Sequence, residues 1–211
     1  MKSISSSELE KYSRFYRANL INCLTGTKPA LLIGTKSVDG RTNLALFSSV
    51  VHLGADPAMI GIIQRPLTEH SHTYKNIVST GFFTVNHIDR TLVAQAHHTS
   101  AKFKEEESEF EHCGFSETYS SDWPAPFLHE SKLRFGASFV REIHLPENDT
   151  RLMIAKIELV ELDEKIVCDD GNLNLVAADT IAAAGLETYL TISGLAKFQY
   201  AKAGIRPEPL K

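Results

Sequence analysis

Polar side chains that could bind an anion follow the apolar segments in the first half of the chain. Ser48 and Ser49 come directly after Phe47 in an apolar run, and Arg65 follows the next such run. The segment Ser71–Thr73 then opens a predicted short helix, whose first-turn amides are free to donate hydrogen bonds. Hydroxyls, amides and a guanidinium together suit a ligand that is both anionic and planar.

Two asparagines lie close to these positions. Asn43 can donate to and accept from a ligand, although asparagine after a turn is also ordinary. Asn76 lies one helical turn beyond Thr73 and either closes the site or braces the loop. The residues predicted to bind the ligand are Asn43, Phe47, Ser48, Ser49, Arg65, Ser71, His72, Thr73 and Asn76.

Each assignment has a simpler structural alternative. The two serines could mark a strand end or a bulge. Arg65 could be an exposed loop arginine, and Ser71 could be an ordinary N-cap. The sequence alone leaves these alternatives open.

The histidines do not predict a metal site. His70 and His72 are two residues apart and His97 and His98 are adjacent, so neither pair shares a helical face as an i, i+4 pair does. The adjacent His112-Cys113 could suggest a nucleophile with its base, but neighbouring residues rarely orient for proton transfer. No metal is expected.

The strand pattern predicts the scaffold. The alternating run 30–37 ends at Asp39-Gly40, a strong hairpin signal, and the run 42–51 should pair with it antiparallel. The apolar segment 58–64 predicts a buried strand. Further strands are expected at 82–86, 133–143, 151–162 and, shorter, near 173–176.

Helices are predicted between these strands. The first covers about 8–22 after a serine cap, a second runs from Ser71 to about Ser79 with Gly81 ending it, and a third begins at Asp89. The charged segment 102–111 is expected to be a loop or a frayed helix end. Strands that outnumber helices in this way predict a mainly β, antiparallel barrel with inserted and flanking helices.

Composition limits the partners. A chain of 211 residues can form one sizeable core, and we expect a single domain over 1–211, with a barrel core at about 29–167 and a C-terminal segment at 168–211. The net charge of -4 and the absence of a Lys/Arg run argue against nucleic acid as a partner. No segment is apolar enough to be a signal peptide or to span a bilayer, so the sequence predicts a cytoplasmic protein without a membrane partner.

An ordered set of short motifs resembles the flavin reductase-like, FMN-binding split-barrel family, in its flavoredoxin-like branch, over roughly residues 29–167. The set comprises Asp39-Gly40, Asn43, Ser48-Ser49, Asp56-Pro57, Thr73, Asn76-Ile77, Gly81, Phe83, Val85-Asn86, Glu109-Phe110-Glu111 and Pro126. The segments 185–189 and 194–200 also resemble the closing part of that family.

The resemblance implies a homodimer that binds FMN near its interface. It also implies an oxidoreductase that passes electrons from NAD(P)H or a partner protein to a small acceptor or to free flavin. Two alternatives stay open: a flavoredoxin-like electron carrier and a non-catalytic FMN-binding module.

The chain departs from the family at two places. Members that take hydride from a nicotinamide often carry a histidine where this chain has Asp149–Arg151, which leaves direct use of NAD(P)H open. Ser71-His72 also stands where the family often has Lys-Asp. Phosphate binding is therefore expected to depend more on Arg65 and on backbone amides.

Overall fold

The computed structural model describes residues 1–210. The helices are α1 (Ser6–Lys11), α2 (Arg14–Leu24), α3 (His72–Thr80), α4 (Val93–His98) and α5 (Glu109–His112), with a 3-10 turn at Glu164–Ile166. The strands are β1 (Lys28–Pro29), β2 (Leu31–Lys36), β3 (Thr42–Phe47), β4 (Val50–Ala55), β5 (Ala58–Gln64), β6 (Phe82–His87), β7 (Glu117–Thr118), β8 (Phe127–Leu128), β9 (Leu133–Leu145), β10 (Thr150–Leu162), β11 (Ile181–Ala184) and β12 (Thr188–Thr191).

Seven strands form one antiparallel sheet in the order β3-β2-β6-β9-β10-β5-β4. Its two edge strands, β3 and β4, are consecutive in the chain and are separated only by Ser48 and Ser49. Because so short a connection must join opposite edges, the sheet has to curl until those edges approach each other. The two edges are not paired with each other, so the barrel is split along this line. The mainly β, antiparallel split barrel predicted from the sequence is confirmed.

A smaller sheet in the order β1-β11-β12 lies beside the barrel entrance. Strand β1, which precedes the barrel, pairs with β11 through Lys28–Ala183 and Pro29–Ala182. This pairing holds the C-terminal hairpin β11–β12 beside the start of the barrel. The segment 181–191 is thereby brought next to residues that lie about 150 positions earlier in the chain, so this β pairing is strongly non-local.

Local turn signals were good predictors. The hairpin between β2 and β3 forms with Thr35 opposite Asn43, and Gly40 adopts a φ of 87° in its turn. Strand β5 has the predicted bounds 58–64. Helix α3 ends at Gly81 in the left-handed region, as predicted.

Two predicted elements are divided in the structure. The helix predicted over 8–22 is wrong as one element: it forms α1 and α2, because Tyr12 is extended and the Ser13 hydroxyl starts a second helix by accepting from the Tyr16 amide. The single strand predicted over 42–51 is also wrong. It breaks at Ser48-Ser49, where the chain crosses from one sheet edge to the other.

Two further boundaries differ from prediction. The third helix begins at Val93 and not at Asp89, because the Asp89 carboxylate accepts from the Thr91 amide and hydroxyl in a turn. The short strand near 173–176 is wrong: Leu173 makes one isolated bridge to Val167, and the strand forms later, as β11. The segment 102–111 is a loop up to the start of α5.

Apolar packing fixes the barrel on both sides. One buried cluster fills the interior and includes Ile33, Phe83 and Ile62. A second cluster, with Leu32, Leu44 and Phe110, packs the outer face of β2 and β3 against the helices α4 and α5. No helix within residues 1–210 is long and apolar enough to cross a membrane.

Candidate functional site

A cavity of about 850 Å³ opens where β3 passes into β4. Seven of the nine residues predicted to bind a ligand line it: Asn43, Phe47, Ser48, Ser49, Arg65, His72 and Thr73. Its size lies toward the upper end of the range of roughly 300–1,000 Å³ that is typical of ligand cavities. The crossing between the sheet edges therefore places these residues together, although they come from β3, the crossing itself, the residue after β5 and the start of α3.

Asn43 and Thr73 join the barrel to the helix. The Asn43 side-chain amide donates to Thr73 Oγ1 at 3.0 Å, and both residues are buried. This bond holds the first turn of α3 against β3 and so sets the direction in which the helix amides point. The bond consumes one donor of Asn43 and leaves the rest of its side chain at the cavity wall.

The two serines have different surroundings. Ser49 Oγ donates to the Ile63 carbonyl at 2.9 Å, and the Ile63 amide donates to the Ser49 carbonyl at 3.0 Å, which ties the crossing to β5. The Ser48 hydroxyl makes no hydrogen bond within residues 1–210, so it can serve a ligand. Ser49 positions the crossing, and Ser48 presents a free donor.

Arg65 presents an unpaired cation to the cavity. No carboxylate oxygen within residues 1–210 lies within 4.0 Å of its guanidinium. Its carbonyl accepts from the Gln64 side-chain amide at 3.0 Å, which holds the end of β5. A guanidinium with its donors free can bind a phosphate bidentately.

Helix α3 begins beside this arginine, but Ser71 does not cap it. The Ser71 hydroxyl accepts instead from the Thr68 amide at 2.9 Å, and Ser71 does not line the cavity. The first-turn amides of this nine-residue helix therefore have no side-chain cap, and these free amides and the helix dipole favour an anion.

His72 lies in that first turn and lines the cavity. Burial, and secondly the charge of Lys75, lower the pKa of His72 below its ordinary value. Its ring is therefore mainly neutral at pH 7 and contributes a neutral N–H or an acceptor nitrogen, not a charge.

Asn76 lies behind the wall. Its side-chain amide donates to Thr35 Oγ1 at 3.0 Å in a buried contact that joins α3 to β2. It does not line the large cavity, so its geometry is that of a brace.

The cavity is also lined by residues that sequence reasoning did not select as ligand-binding. They come from the end of α4, the loop that follows it and the hairpin β11–β12, and include His97, His98, Lys102, Phe103, Leu186 and Tyr189. The neighbouring histidines and the aromatic residue after Lys102 are visible in the sequence, but nothing local shows that they line the same cavity as Arg65. The pairing of β1 with β11 supplies that information.

Glu109 contributes a buried carboxylate to the cavity. Its Oε2 accepts from the Leu44 amide at 3.0 Å, which fixes α5 to β3, and burial raises the pKa of Glu109. Within residues 1–210 no three His, Cys, Asp or Glu side chains are arranged to hold a metal ion.

The polar wall fits a phosphorylated flavin. The guanidinium of Arg65 and the open amides of α3 are donors of the kind that bind a phosphate, while Ser48 and Asn43 have hydrogen-bonding groups suited to polar ring edges or hydroxyls. Phe47 adds an apolar surface at the same wall.

Comparison with known proteins agrees with this fold. The family model described as "Flavin reductase like domain" matches residues 25–174. A crystal structure of a split barrel domain protein from Shewanella frigidimarina NCIMB 400 is 42% identical, with a TM-score of 0.92, over 95% of this chain and 100% of that one.

Two more distant structures share the fold. Nitrilotriacetate monooxygenase component B from Bacillus cereus is 20% identical, with a TM-score of 0.82, over 93% of this chain and 98% of that one. Flavoredoxin from Desulfovibrio vulgaris (Miyazaki F) is 23% identical, with a TM-score of 0.70, over 85% and 92%. Since the family model covers most of the chain, the protein belongs to the flavin reductase-like family of split-barrel proteins.

Proposed function

We propose that the protein is an FMN-dependent oxidoreductase that passes electrons from NAD(P)H or a partner protein to a small acceptor or to free flavin. The observation that carries the proposal is the polar wall of the cavity. There the guanidinium of Arg65 and the hydroxyl of Ser48, neither of which has a side-chain partner within residues 1–210, line the same cavity as the uncapped start of α3.

The phosphate of FMN is the group that this wall suits best. Arg65 offers two parallel donors, and the first-turn amides around His72 and Thr73 add a directed positive dipole. The single phosphate of FMN is thus matched by one cluster of donors. A protein from Thermus thermophilus that is described as FMN-binding shares the fold of this chain at a TM-score of 0.66.

The redox chemistry comes from the flavin ring, which accepts and returns a hydride equivalent when bound. The residues of this chain bind the phosphate, orient the ring through Ser48 and Asn43, and limit access to it through the residues that line the cavity. Catalysis by this site therefore needs no nucleophile or triad.

The electron donor in this proposal is NAD(P)H or a partner reductase. The region where family members often carry a histidine is the tip of the β9–β10 hairpin, where His144 Nε2 lies 2.7 Å from Asp149 Oδ1 and is exposed. Neither residue lines the cavity. A partner reductase would replace NAD(P)H if the protein is a flavoredoxin-like carrier.

We also propose that the protein is a homodimer. Helix α2 has no buried residue, and its apolar side chains Phe15 and Leu24 are exposed, as are Leu195 and Tyr200 in the C-terminal segment. The unpaired edges of the split barrel add to the surface that a twofold pairing would cover.

Two measurements test the function. The purified protein, loaded with FMN and freed of excess, should show a flavin absorption band in the visible region. It should be reduced by NADH or NADPH in stopped-flow mixing if it is a reductase. Bound flavin without reduction by either nucleotide would favour the electron carrier or the binding module. A protein that does not retain FMN and does not quench its fluorescence would contradict all three.

A further inference from the structure

Two histidine rings lie at the start of α3. His70 and His72 both line the cavity, as does Arg65. Their ring centroids are 6.1 Å apart, and the ring planes are inclined at 67°. Imidazole is the side chain whose charge changes most readily around neutral pH. The cavity therefore contains, at the uncapped start of the helix, two groups that can gain a positive charge.

A tight turn fixes where these rings lie. The Thr68 amide donates to the Ser71 hydroxyl at 2.9 Å, and the Ser71 amide donates to the Thr68 carbonyl at 3.1 Å. His70 lies within this turn, and His72 is the first residue of α3 directly after it. Backbone geometry thus places both rings at the same end of the helix before any ligand binds.

The groups around His72 keep its ring neutral when no anion is bound. Burial, and secondly the charge of Lys75, lower the pKa of His72, and the charge of His70 acts in the same direction. Glu105 acts in the opposite direction, but Arg41 pairs with it at 3.0 Å. A bound anion would add a negative charge to these surroundings and favour the protonated ring.

His70 has an acidic neighbour of its own. Its Nε2 lies 3.3 Å from Glu69 Oε1, and the Glu69 side chain is 86% exposed, so water screens this contact. The contact uses one of the two ring nitrogens. Lys75 does not compete for the Glu69 carboxylate, since its ammonium donates to the Glu69 carbonyl at 2.8 Å.

The polar wall supplies less positive charge than a phosphate carries negative charge. Among the residues of the segment 43–73 that line the cavity, Arg65 is the only lysine or arginine. A phosphate monoester carries about 1.5 to 2 negative charges at pH 7. The guanidinium supplies one positive charge and the helix dipole about half of one, so part of the phosphate charge stays unbalanced. One protonated imidazole would balance it.

We propose that His70 and His72 are a proton-dependent part of the phosphate site, in which one of the two rings takes up a proton from water when the phosphate of FMN binds. Two charged rings at this distance repel each other, so one proton is expected for each FMN bound. The proton returns to water when FMN leaves, and no other reactant is needed. The proposal rests on the proposed function, because it requires the phosphate to bind at the start of α3.

A site that only selects the phosphate dianion would exchange protons with the opposite sign. The second pKa of a phosphate monoester is about 6, so free FMN near that pH carries part of a proton and releases it when it binds as the dianion. Affinity would then fall as the pH is lowered. Proton uptake by a histidine instead raises the affinity as the pH falls from 8 to 7.

Titration calorimetry of the flavin-free protein with FMN measures this proton. The binding heat is compared at pH 7 in two buffers of different ionisation enthalpy, and the difference gives the protons exchanged. We expect net uptake, and an FMN affinity about 3- to 10-fold higher at pH 7 than at pH 8, since one full proton changes the affinity about tenfold per pH unit. Riboflavin lacks the phosphate and should show neither effect.

Histidine variants locate the proton. The double variant with His70→Gln and His72→Gln should lose the uptake and bind FMN with similar affinity at pH 7 and pH 8. The two single variants show which ring binds the proton. His129→Gln is the matched control, since His129 is exposed and lies outside the cavity, and it should keep the full uptake. Thermal unfolding of each variant checks that the fold is intact.

The results separate this proposal from the proposed function. Proton release, or no exchange, in a wild-type protein that binds FMN would overturn the proton-dependent site alone. Uptake that persists in the double variant would also overturn it, because another group at the cavity would then bind the proton. The other titratable groups that line the cavity include His97, His98, Lys28, Lys102, Glu109 and Glu187. Failure to bind FMN would instead overturn the proposed function.

Discussion

Arg65 and Ser48 differ from most polar residues around the cavity because their side chains have no partner within residues 1–210. Asn43 and Thr73 bond to each other, and the Ser49 hydroxyl is bonded to the backbone of β5. A polar group that already has a partner fixes the wall, whereas one with free donors can exchange water for a ligand. Arg65 and Ser48 are therefore the residues whose loss should affect ligand affinity most directly.

Replacement of Arg65 by alanine tests the phosphate assignment. We expect FMN to bind about 10- to 100-fold more weakly, because a charge-assisted phosphate contact contributes about 1.5–3 kcal/mol. Riboflavin lacks the phosphate, so its affinity should not change in the variant. Fluorescence quenching measures both affinities.

Arg141→Ala is the control for this substitution, since Arg141 is exposed and outside the cavity. An equal loss for FMN and riboflavin in Arg65→Ala would show that the guanidinium contacts the ring or supports the wall. Unchanged binding of both flavins would place the phosphate elsewhere.

His87 gives a pH-dependent contribution to stability. Burial lowers the pKa of His87 to about 4, whereas in the unfolded chain it is about 6.5. The unfolded state therefore binds a proton first as the pH falls, and stability is lost between about pH 6.5 and 4. The difference between these two pKa values sets the upper limit of this loss at about 3.4 kcal/mol, since one pKa unit corresponds to about 1.36 kcal/mol.

The His87→Gln variant isolates this effect. Urea unfolding at pH 7 and pH 5 should show a smaller stability loss in the variant than in the wild-type protein. The same pH dependence in both proteins would mean that other groups cause it.

At the scale of elements, α3 is anchored to the barrel by two buried amide–hydroxyl bonds. Asn43 bonds to Thr73 in its first turn, and Asn76 bonds to Thr35 one turn later. The pair sets both the position and the rotation of the helix. The place of the uncapped amides at the start of α3 is thus set by one contact at the cavity wall and one behind it.

The Asn76–Thr35 bond should contribute to stability and not directly to ligand contacts. Asn76→Ala leaves a buried hydroxyl without its partner and should lower the free energy of unfolding by about 1–3 kcal/mol. In a double-mutant cycle, Thr35→Val should cost much less when Asn76 is already alanine. Additive losses would contradict a direct interaction, and urea unfolding measures all four proteins.

Local signals explain which elements the sequence could predict. The Asp39-Gly40 turn, the apolar run 58–64 and the helix stop at Gly81 each depend on a few neighbouring residues, and all three form as predicted. The break at Tyr12 escaped prediction because Ser13 competes locally as a second N-cap within a pattern that otherwise continues.

The residues that line the cavity show the same contrast between positions with a local sequence signal and positions without one. The polar wall comes from residues 43–73, whose order in the chain already suggests that they meet. Other lining residues come from the loop after α4 and from β12, and β12 reaches the cavity through the pairing of β11 with β1. Pairing between strands so far apart has no local signature, so Phe103 and Tyr189 could not be assigned to the site beforehand.

At the scale of the molecule, the seven-stranded sheet brings its two edges together without pairing them. The cavity lies at this split, where Ser48 and Ser49 cross from one edge to the other. A closed barrel would pair these backbones, whereas the split leaves polar groups and space at the same point. The architecture thus provides the site, and the side chains of β3, β5 and α3 give it its charge and hydrogen-bonding character.

The proposed dimer is tested by adding a charge to the exposed apolar C-terminal segment. In sedimentation velocity at micromolar concentration we expect the wild-type protein to be dimeric and Leu195→Asp to shift toward monomer, because a buried carboxylate without a partner is costly. Val38→Asp is the matched control: Val38 is an exposed apolar residue of the β2–β3 turn, so its replacement should leave the dimer intact. A monomeric wild-type protein would overturn the dimer proposal, and a dimer unaffected by Leu195→Asp would exclude this segment from the interface.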